Sequence, residues 1–105
     1  MSSFVAVARV EEVPPGTRLH YAFDEETVIV LNVGGEFFAI ADLCTHDGGP
    51  LEDGDVCDHQ IECPRHGARF DIRTGEALCA PAYEPTAVYP TKAENGEVFI
   101  LIDAD

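Results

Sequence analysis

The sequence predicts a small all-β domain, an antiparallel β sandwich or barrel with a loop-rich insertion. Three observations carry this prediction. No long stretch shows the apolar spacing of three and four residues that marks an amphipathic helix. Runs of β-branched and aromatic residues alternate instead with turn residues. Two dipeptides, Gly34-Gly35 and Asn95-Gly96, are typical of two-residue hairpin turns.

The N-terminal part of the chain predicts three strands. Phe4–Val10 is rich in valine, and Pro14-Pro15-Gly16 marks a turn after it. Thr27–Val33 and Glu36–Ala41 are β-branched or aromatic runs on either side of Gly34-Gly35. We therefore expect these two runs to form an antiparallel hairpin.

The middle of the chain, from Asp42 to Gly75, is irregular and rich in glycine and proline. Short strand candidates lie at Val56–Cys57, Gln60–Glu62 and Ala68–Asp71. Because long irregular segments in small domains are usually functional, we expect a separate cluster of loops here. The prediction is one domain over residues 1–105, with a basal β part at 1–42 and 76–105 and a subdomain at 43–75.

The C-terminal part predicts a last hairpin. Ala87–Tyr89 and Val98–Ile102 are apolar runs on either side of Glu94-Asn95-Gly96. Since Asn-Gly readily adopts the positive φ angles of a tight turn, these two runs are expected to pair.

Charge and composition exclude several classes of partner. The 105 residues include 20 Asp and Glu against 6 Lys and Arg, for a net charge of -14. Nucleic acid and anionic membrane surfaces are poor partners for such a chain. The acidity steers a basic protein partner or serves solubility alone, and both interpretations stay open. With no basic start at the N-terminus and no apolar run long enough to span a bilayer, we expect a cytoplasmic protein with reduced cysteines.

Two cysteine–histidine pairs carry the chemistry. Cys44-Thr45-His46 and Cys63-Pro64-Arg65-His66 each supply one sulfur and one nitrogen, with glycine close by. Such a set can hold a 2Fe-2S cluster, with two thiolates on one iron and two imidazoles on the other. It can also hold a tetrahedral zinc ion, although the single residue between Cys44 and His46 is shorter than zinc spacings usually are.

The two segments CTHDGGPL and CPRHGARFDIRTGEAL resemble the cluster-binding boxes of Rieske-type 2Fe-2S proteins. The resemblance is to bacterial ferredoxins associated with aromatic-ring dioxygenases. It implies that Cys44 and Cys63 bind one iron and that His46 and His66 bind the other through Nδ1. It also implies a proline-containing loop that shields the cluster, and Cys79-Ala80-Pro81-Ala82 lies at the corresponding place.

The function implied by the resemblance is that of a soluble one-electron carrier with no catalytic residue. Electrons would come from a reductase, expected to be flavin-dependent, and leave to a terminal oxygenase. The chain has no G-x-G-x-x-G fingerprint for a nucleotide cofactor and no length for an oxygenase domain. Two alternatives remain at this point: the small subunit of a nitrite reductase-type complex, and a zinc-stabilised interaction or assembly module.

The sequence departs from high-potential Rieske proteins in the two boxes. Gly49 and Arg65 stand where those relatives have a pair of disulfide-forming cysteines, and Ala68 and Phe70 stand where they have hydroxyl groups. Because hydrogen bonds to the sulfurs help set cluster potentials, their loss implies a value near the low end of the Rieske range, about -150 mV.

The remaining cysteines and histidines lie outside the boxes. We expect Cys57 and Cys79 to be buried, inert thiols. His20 and His59 are expected to be surface side chains rather than ligands.

Overall fold

The computed structural model describes residues 2–23, 26–45, 48–51, 53–64 and 66–103. These residues form an all-β fold, as predicted, with one turn of 3-10 helix at Val10–Glu12. Within the described ranges, no helix is long and apolar enough to cross a membrane. The strands are β1 (Ser2–Arg9), β2 (Arg18–Phe23), β3 (Glu26–Val33), β4 (Glu36–Ala41), β5 (Val56–Cys57), β6 (Gln60–Glu62), β7 (Arg69–Asp71), β8 (Ala77–Cys79), β9 (Val88–Tyr89), β10 (Thr91–Glu94) and β11 (Glu97–Asp103).

Three antiparallel sheets make up the fold. Their strand orders are β1-β11-β10, β2-β3-β4-β9 and β5-β6-β7-β8. We call the first two the basal sheets and the third the small sheet. The short strands of the small sheet lie in the segment that holds the two cysteine–histidine pairs.

Strand β3 is buried on both faces and divides the core in two. Val28 and Val30 pack in the cluster that includes Val98 and Ile100 of β11. The alternate residues Ile29 and Leu31 pack in the cluster that contains Cys44, Cys63 and Phe70, because successive side chains of a strand point to opposite faces. The sheet β2-β3-β4-β9 therefore packs one face against the segment that carries the cysteines.

Both predicted hairpin turns are confirmed. Gly34 and Gly35 have φ angles of 64° and 96°, and Asn95 and Gly96 have φ angles of 53° and 77°. Positive φ at both central positions is what a tight turn between twisted strands requires.

The C-terminal hairpin uses a different strand from the one expected. Thr91–Glu94 pairs with β11 from Glu94↔Glu97 onwards, because a two-residue turn fixes the register of the residues beside it. Val88–Tyr89 pairs instead with β4, in the other basal sheet. The prediction that 87–89 pairs with 98–102 is therefore wrong.

The small sheet extends beyond the expected subdomain boundary at position 75. Ala77–Cys79 adds a fourth strand by pairing with β7. Gly75 turns the chain towards β8 with a φ angle of 81°, and its carbonyl accepts the N–H of Thr86 at 2.8 Å. This bond fixes the segment after β8 against the small sheet.

Candidate metal centre

Cys44 and Cys63, two of the expected ligands, lie in the interior. Both residues are 0% exposed and belong to one buried cluster with Ala68, Phe70 and Ala82. All four cysteines of the chain are described, and none of them forms a disulfide. The neighbours of the two buried thiols in this cluster are apolar.

The first ligand loop, residues 44–49, is closed by two backbone hydrogen bonds. The N–H of Gly48 donates to the carbonyl of Cys44 at 2.7 Å, and the N–H of Cys44 donates to the carbonyl of Gly49 at 2.8 Å. Gly48 makes this closure with a φ angle of 74°, a conformation that residues with a Cβ adopt at a cost. His46 lies in this loop but outside the described residues.

The second ligand loop, residues 63–68, repeats the same pattern. The N–H of Gly67 donates to the carbonyl of Cys63 at 3.0 Å, and the N–H of Cys63 donates to the carbonyl of Ala68 at 2.6 Å. Gly67 has a φ angle of 77°. His66 is exposed at the turn, so this loop has a buried cysteine at its base and an exposed histidine near its tip.

A third loop, residues 80–86, packs against the first ligand loop. Thr45 Oγ1 donates to the carbonyl of Glu84 at 2.7 Å, and Thr86 Oγ1 donates to the carbonyl of Leu43 at 3.0 Å. Ala82 of this loop is 3% exposed and lies in the buried cluster that holds the two cysteines. The loop includes Pro81, and these contacts hold it beside the first ligand loop.

Asp42, a residue outside both cysteine–histidine pairs, contacts several parts of the site. Its Oδ1 accepts the N–H of Leu51 at 2.6 Å, and its Oδ2 lies 2.8 Å from Nε2 of His20. The Asp42 side chain is 4% exposed, whereas that of His20 is 46% exposed. His20 is therefore at the surface, as expected, but it is engaged with a buried carboxylate.

The arginines of the small sheet lie against acidic neighbours. Arg69 Nε is 3.0 Å from Glu62 Oε1, and Arg73 Nη2 is 3.0 Å from Asp71 Oδ2. The hydrogen bonds from Arg73 lower the pKa of Asp71, and the same pair raises the pKa of Arg73. Both arginines are therefore paired with acidic side chains close to them in the small sheet.

Cys57 and Cys79 are exposed, so the expectation of two buried thiols is wrong. Both residues lie on edge strands of the small sheet, β5 and β8, where one side lacks a neighbouring strand. The Cys79 thiol donates to the carbonyl of Gly67 at 3.6 Å. His59 is half-buried, with its ring edge against that of Phe38 at a centroid distance of 5.5 Å.

The described residues fit a centre that is shared between two metal ions. In the ranges that the structure describes, no three His, Cys, Asp or Glu side chains converge on a single ion position. A Rieske cluster needs only two protein ligands on each iron, because bridging sulfides complete the coordination. Two buried thiols and an exposed imidazole on neighbouring closed loops suit that division.

The structure is thus an all-β domain with two loops of matching geometry, each with a cysteine at its base. This arrangement is typical of small proteins that hold a metal centre between two loops. Residues 3–90 match the family described as the Rieske [2Fe-2S] domain. The chain belongs to this family and carries one Rieske-type 2Fe-2S cluster.

A curated relative shows which branch of the family is similar. The 3-phenylpropionate/cinnamic acid dioxygenase ferredoxin subunit of Shigella flexneri serotype 5b (strain 8401) is 45% identical over 93 residues. The match covers 87% of this chain and 86% of that protein. The chain is a Rieske-type ferredoxin of the aromatic-dioxygenase kind, an electron carrier rather than an enzyme.

Solved structures agree in fold over nearly the whole chain. The ferredoxin of carbazole 1,9a-dioxygenase from Nocardioides aromaticivorans IC177 superposes with a TM-score of 0.87 and 31% identity, covering 93% of this chain and 96% of that one. A complex of reduced oxygenase and oxidized ferredoxin in carbazole 1,9a-dioxygenase contains a chain that matches with a TM-score of 0.86 and 31% identity, covering 92% of this chain and 91% of that one.

Proposed function

We propose that Cys44 and Cys63 bind one iron of the cluster and that His46 and His66 bind the other. The observation that carries this assignment is the repeated loop geometry, in which Cys44 and Cys63 occupy the same position in two identically closed loops. Both cysteines are buried and His66 is exposed, which suits a cluster with its histidine side towards a partner. When bound, the cluster takes up and releases one electron.

We also propose the division of this single domain into a basal part and a subdomain that holds the cluster. The small sheet and the third loop favour a subdomain that extends past position 75 to include β8. Its buried residues pack in one cluster with Ile29 and Leu31 of β3, which belongs to the basal part. Such an attachment holds the ligand loops rigidly, which keeps the geometry of the ligands similar in both redox states.

The acceptor that we propose is a terminal oxygenase of an aromatic-ring dioxygenase system. The similar ferredoxin that occurs in complex with its oxygenase supports this proposal. The donor that we propose, as the family resemblance implies, is a reductase with a flavin as its cofactor. We propose that this electron transfer takes place in the cytoplasm. We propose no nucleic-acid or membrane partner, since the chain carries a net charge of -14.

We propose that the partners dock over the ligand loops. Leu43 and Tyr83, next to the first ligand loop and on the third loop, are 43% and 83% exposed. Arg9, Arg69, Arg73 and Lys92 lie between 2.6 and 3.2 Å from acidic side chains, so much of the positive charge is locally balanced. The excess charge is negative, which favours a partner with an apolar centre and a basic rim.

Stopped-flow mixing tests this function. The reduced protein is mixed with an oxidised terminal oxygenase from an aromatic dioxygenase system, and the reoxidation rate is followed at increasing ionic strength. We expect rapid reoxidation that slows as salt screens the attraction, and a slower rate for Tyr83→Ala. Phe4→Ala is the matched control, because Phe4 is an exposed aromatic residue on the outer strand β1. No reoxidation by any such oxygenase, or equal effects of both substitutions, would contradict the proposal.

A further inference from the structure

The ends of the two ligand loops are held by different means. The second ligand loop joins β6 to β7, and the pair Glu62↔Arg69 of their ladder closes it at the base. The first ligand loop follows β4, which ends at Ala41, and the next strand begins only at Val56. No ladder therefore closes the first loop among the described residues of 42–55.

The carboxylate of Asp42 occupies the place where a ladder would close the first loop. Asp42 directly follows β4, and its own N–H donates to the carbonyl of Thr27 at 2.9 Å, which fixes its backbone to β3. Its Oδ1 accepts the N–H of Leu51, just beyond the loop, at 2.6 Å. One side chain thus joins the residues that precede and follow the loop.

His20 holds the other oxygen of this carboxylate. Because a carboxylate only accepts hydrogen bonds, Nε2 of His20 donates to Oδ2 of Asp42 across 2.8 Å. On the same strand, two residues earlier, Arg18 Nη1 donates to the carbonyl of Gly54 at 2.7 Å. Residues two apart on a strand share a face, so β2 contacts Asp42 before the first loop and Gly54 after it.

We propose that Asp42 is a positioning residue for the first ligand loop, with its carboxylate oriented by His20. The inference rests on the proposed function, because it assumes that the first loop supplies Cys44 and His46 to the cluster. Asp42 touches no reacting atom, and it acts by fixing the separation between the two ends of the loop. Leu51, which it holds, is itself fully buried beside Cys44 in the core.

Two substitutions at Asp42 separate geometry from charge. In Asp42→Asn, Oδ1 still accepts the Leu51 N–H, and the amide nitrogen can donate to His20 in its other tautomer. In Asp42→Ala both bonds are lost, and the buried Leu51 N–H loses its acceptor. We expect iron release to a chelator to become about tenfold faster in Asp42→Ala and to stay within about twofold of wild type in Asp42→Asn. His20→Ala should fall between the two.

The matched control is Asn32→Ala, at a buried polar side chain away from the ligand loops. Asn32 Nδ2 donates to the Val13 carbonyl and its Oδ1 accepts the Gly35 N–H, both at 2.8 Å. We expect this variant to lower the melting temperature while the electron paramagnetic resonance spectrum of the reduced cluster stays as in wild type. In Asp42→Ala, the same spectrum should broaden or shift.

Amide hydrogen exchange at Leu51 directly measures the hydrogen bond from its N–H to Asp42 Oδ1, and it does not depend on the 2Fe-2S cluster. Exchange at this amide should be about tenfold faster in Asp42→Ala and near wild type in Asp42→Asn and Asn32→Ala. Unchanged exchange in Asp42→Ala, or equal effects of the alanine and asparagine variants, would overturn the inference. An absence of iron and sulfide from the wild-type protein would instead overturn the proposed function, and the exchange result would still decide the role of Asp42.

Discussion

The two ligand loops have the same backbone hydrogen bonds but different supports. The second ligand loop is part of a hairpin in the small sheet, so strand pairing within a few residues fixes its ends. The first depends on side-chain hydrogen bonds to a distant segment: Thr86 Oγ1 donates to the Leu43 carbonyl, and Thr45 Oγ1 of the loop donates to the Glu84 carbonyl. One local geometry is thus reached in two ways. Because single side chains support the first loop, we expect point substitutions to loosen it more readily.

The loops also differ in what lies beside them. Ala68, the last residue of the second loop, and Phe70, in β7, are 0% exposed in the same buried cluster as the cysteines. Neither offers a hydroxyl group. The second loop is therefore bordered by buried apolar side chains, whereas the first is bordered by the buried Leu51 and also by polar bonds to the third loop.

The largest expected effect is the same for both loops, since we propose that each supplies one thiolate ligand. Cys44→Ser and Cys63→Ser should each abolish the cluster, because the hard hydroxyl is a poor substitute for the thiolate ligand. Iron and acid-labile sulfide per chain measure this loss. Cys57→Ser is the control, since Cys57 is exposed on an edge strand and should leave both contents unchanged. If either of these two variants kept the cluster, the two loops would not be equivalent in holding it.

A polar group can be introduced among the buried apolar side chains beside the second loop. In Phe70→Tyr, the added hydroxyl would lie among the buried residues around Cys44 and Cys63. There it would donate a hydrogen bond to a sulfur of the 2Fe-2S cluster. A hydrogen bond stronger by about 1.4 kcal/mol in the reduced state would raise the potential by about 59 mV. Protein-film voltammetry measures the shift. The control is Phe38→Tyr, at a half-buried residue that packs against His59; an equal shift there would contradict a local effect.

The bonds to the third loop should matter chiefly for the first ligand loop. Thr45→Val and Thr86→Val each remove one hydrogen bond at nearly constant volume, and each should destabilise the protein by about 1 kcal/mol. Iron release should become faster in both. Cys79→Ala removes the weak thiol bond to Gly67 in the second loop and should have a smaller effect on the same rate. A larger effect of Cys79→Ala on the rate of iron release would contradict the expectation that these bonds matter chiefly for the first loop.

The smallest expected effect concerns acid stability of the small sheet. The pKa of Asp71 is lowered in the folded state by its hydrogen bonds to Arg73. A lowered folded-state pKa stabilises the protein above the unfolded value, about 3.9, and this contribution disappears as the pH falls through the folded value. Because Arg73 is mostly exposed, the effect should be below about 1 kcal/mol. Urea denaturation of wild type and Asp71→Asn at pH 7 and pH 3 should show a difference at pH 7 that shrinks at pH 3.

The sequence predicts the features that depend on local chemistry. Turns at Gly34-Gly35 and Asn95-Gly96 follow from residues that tolerate positive φ. The cysteine–histidine pairs predict the cofactor because ligand type and spacing are local properties as well. The strand at 91–94 was missed because its lysine and glutamate give it no apolar pattern, and only the register set by the adjacent turn makes it a strand.

Features that depend on distant contacts could not be predicted. The bond between His20 and Asp42 joins residues on β2 and after β4, and nothing in the spacing of these two residues indicates that they meet. The exposure of Cys57 and Cys79 depends on which strands lie at the edges of the small sheet, which only the strand order determines. The polar supports of the first loop are therefore visible only in the folded chain.

The central claim is that two matching loops hold one cluster with two cysteines and two histidines. The most direct test measures iron and acid-labile sulfide per chain, with electron paramagnetic resonance of the dithionite-reduced protein. We expect two irons and two sulfides per chain, and a rhombic signal with the low average g value of histidine ligation. One zinc ion per chain, with no sulfide and no signal, would contradict it.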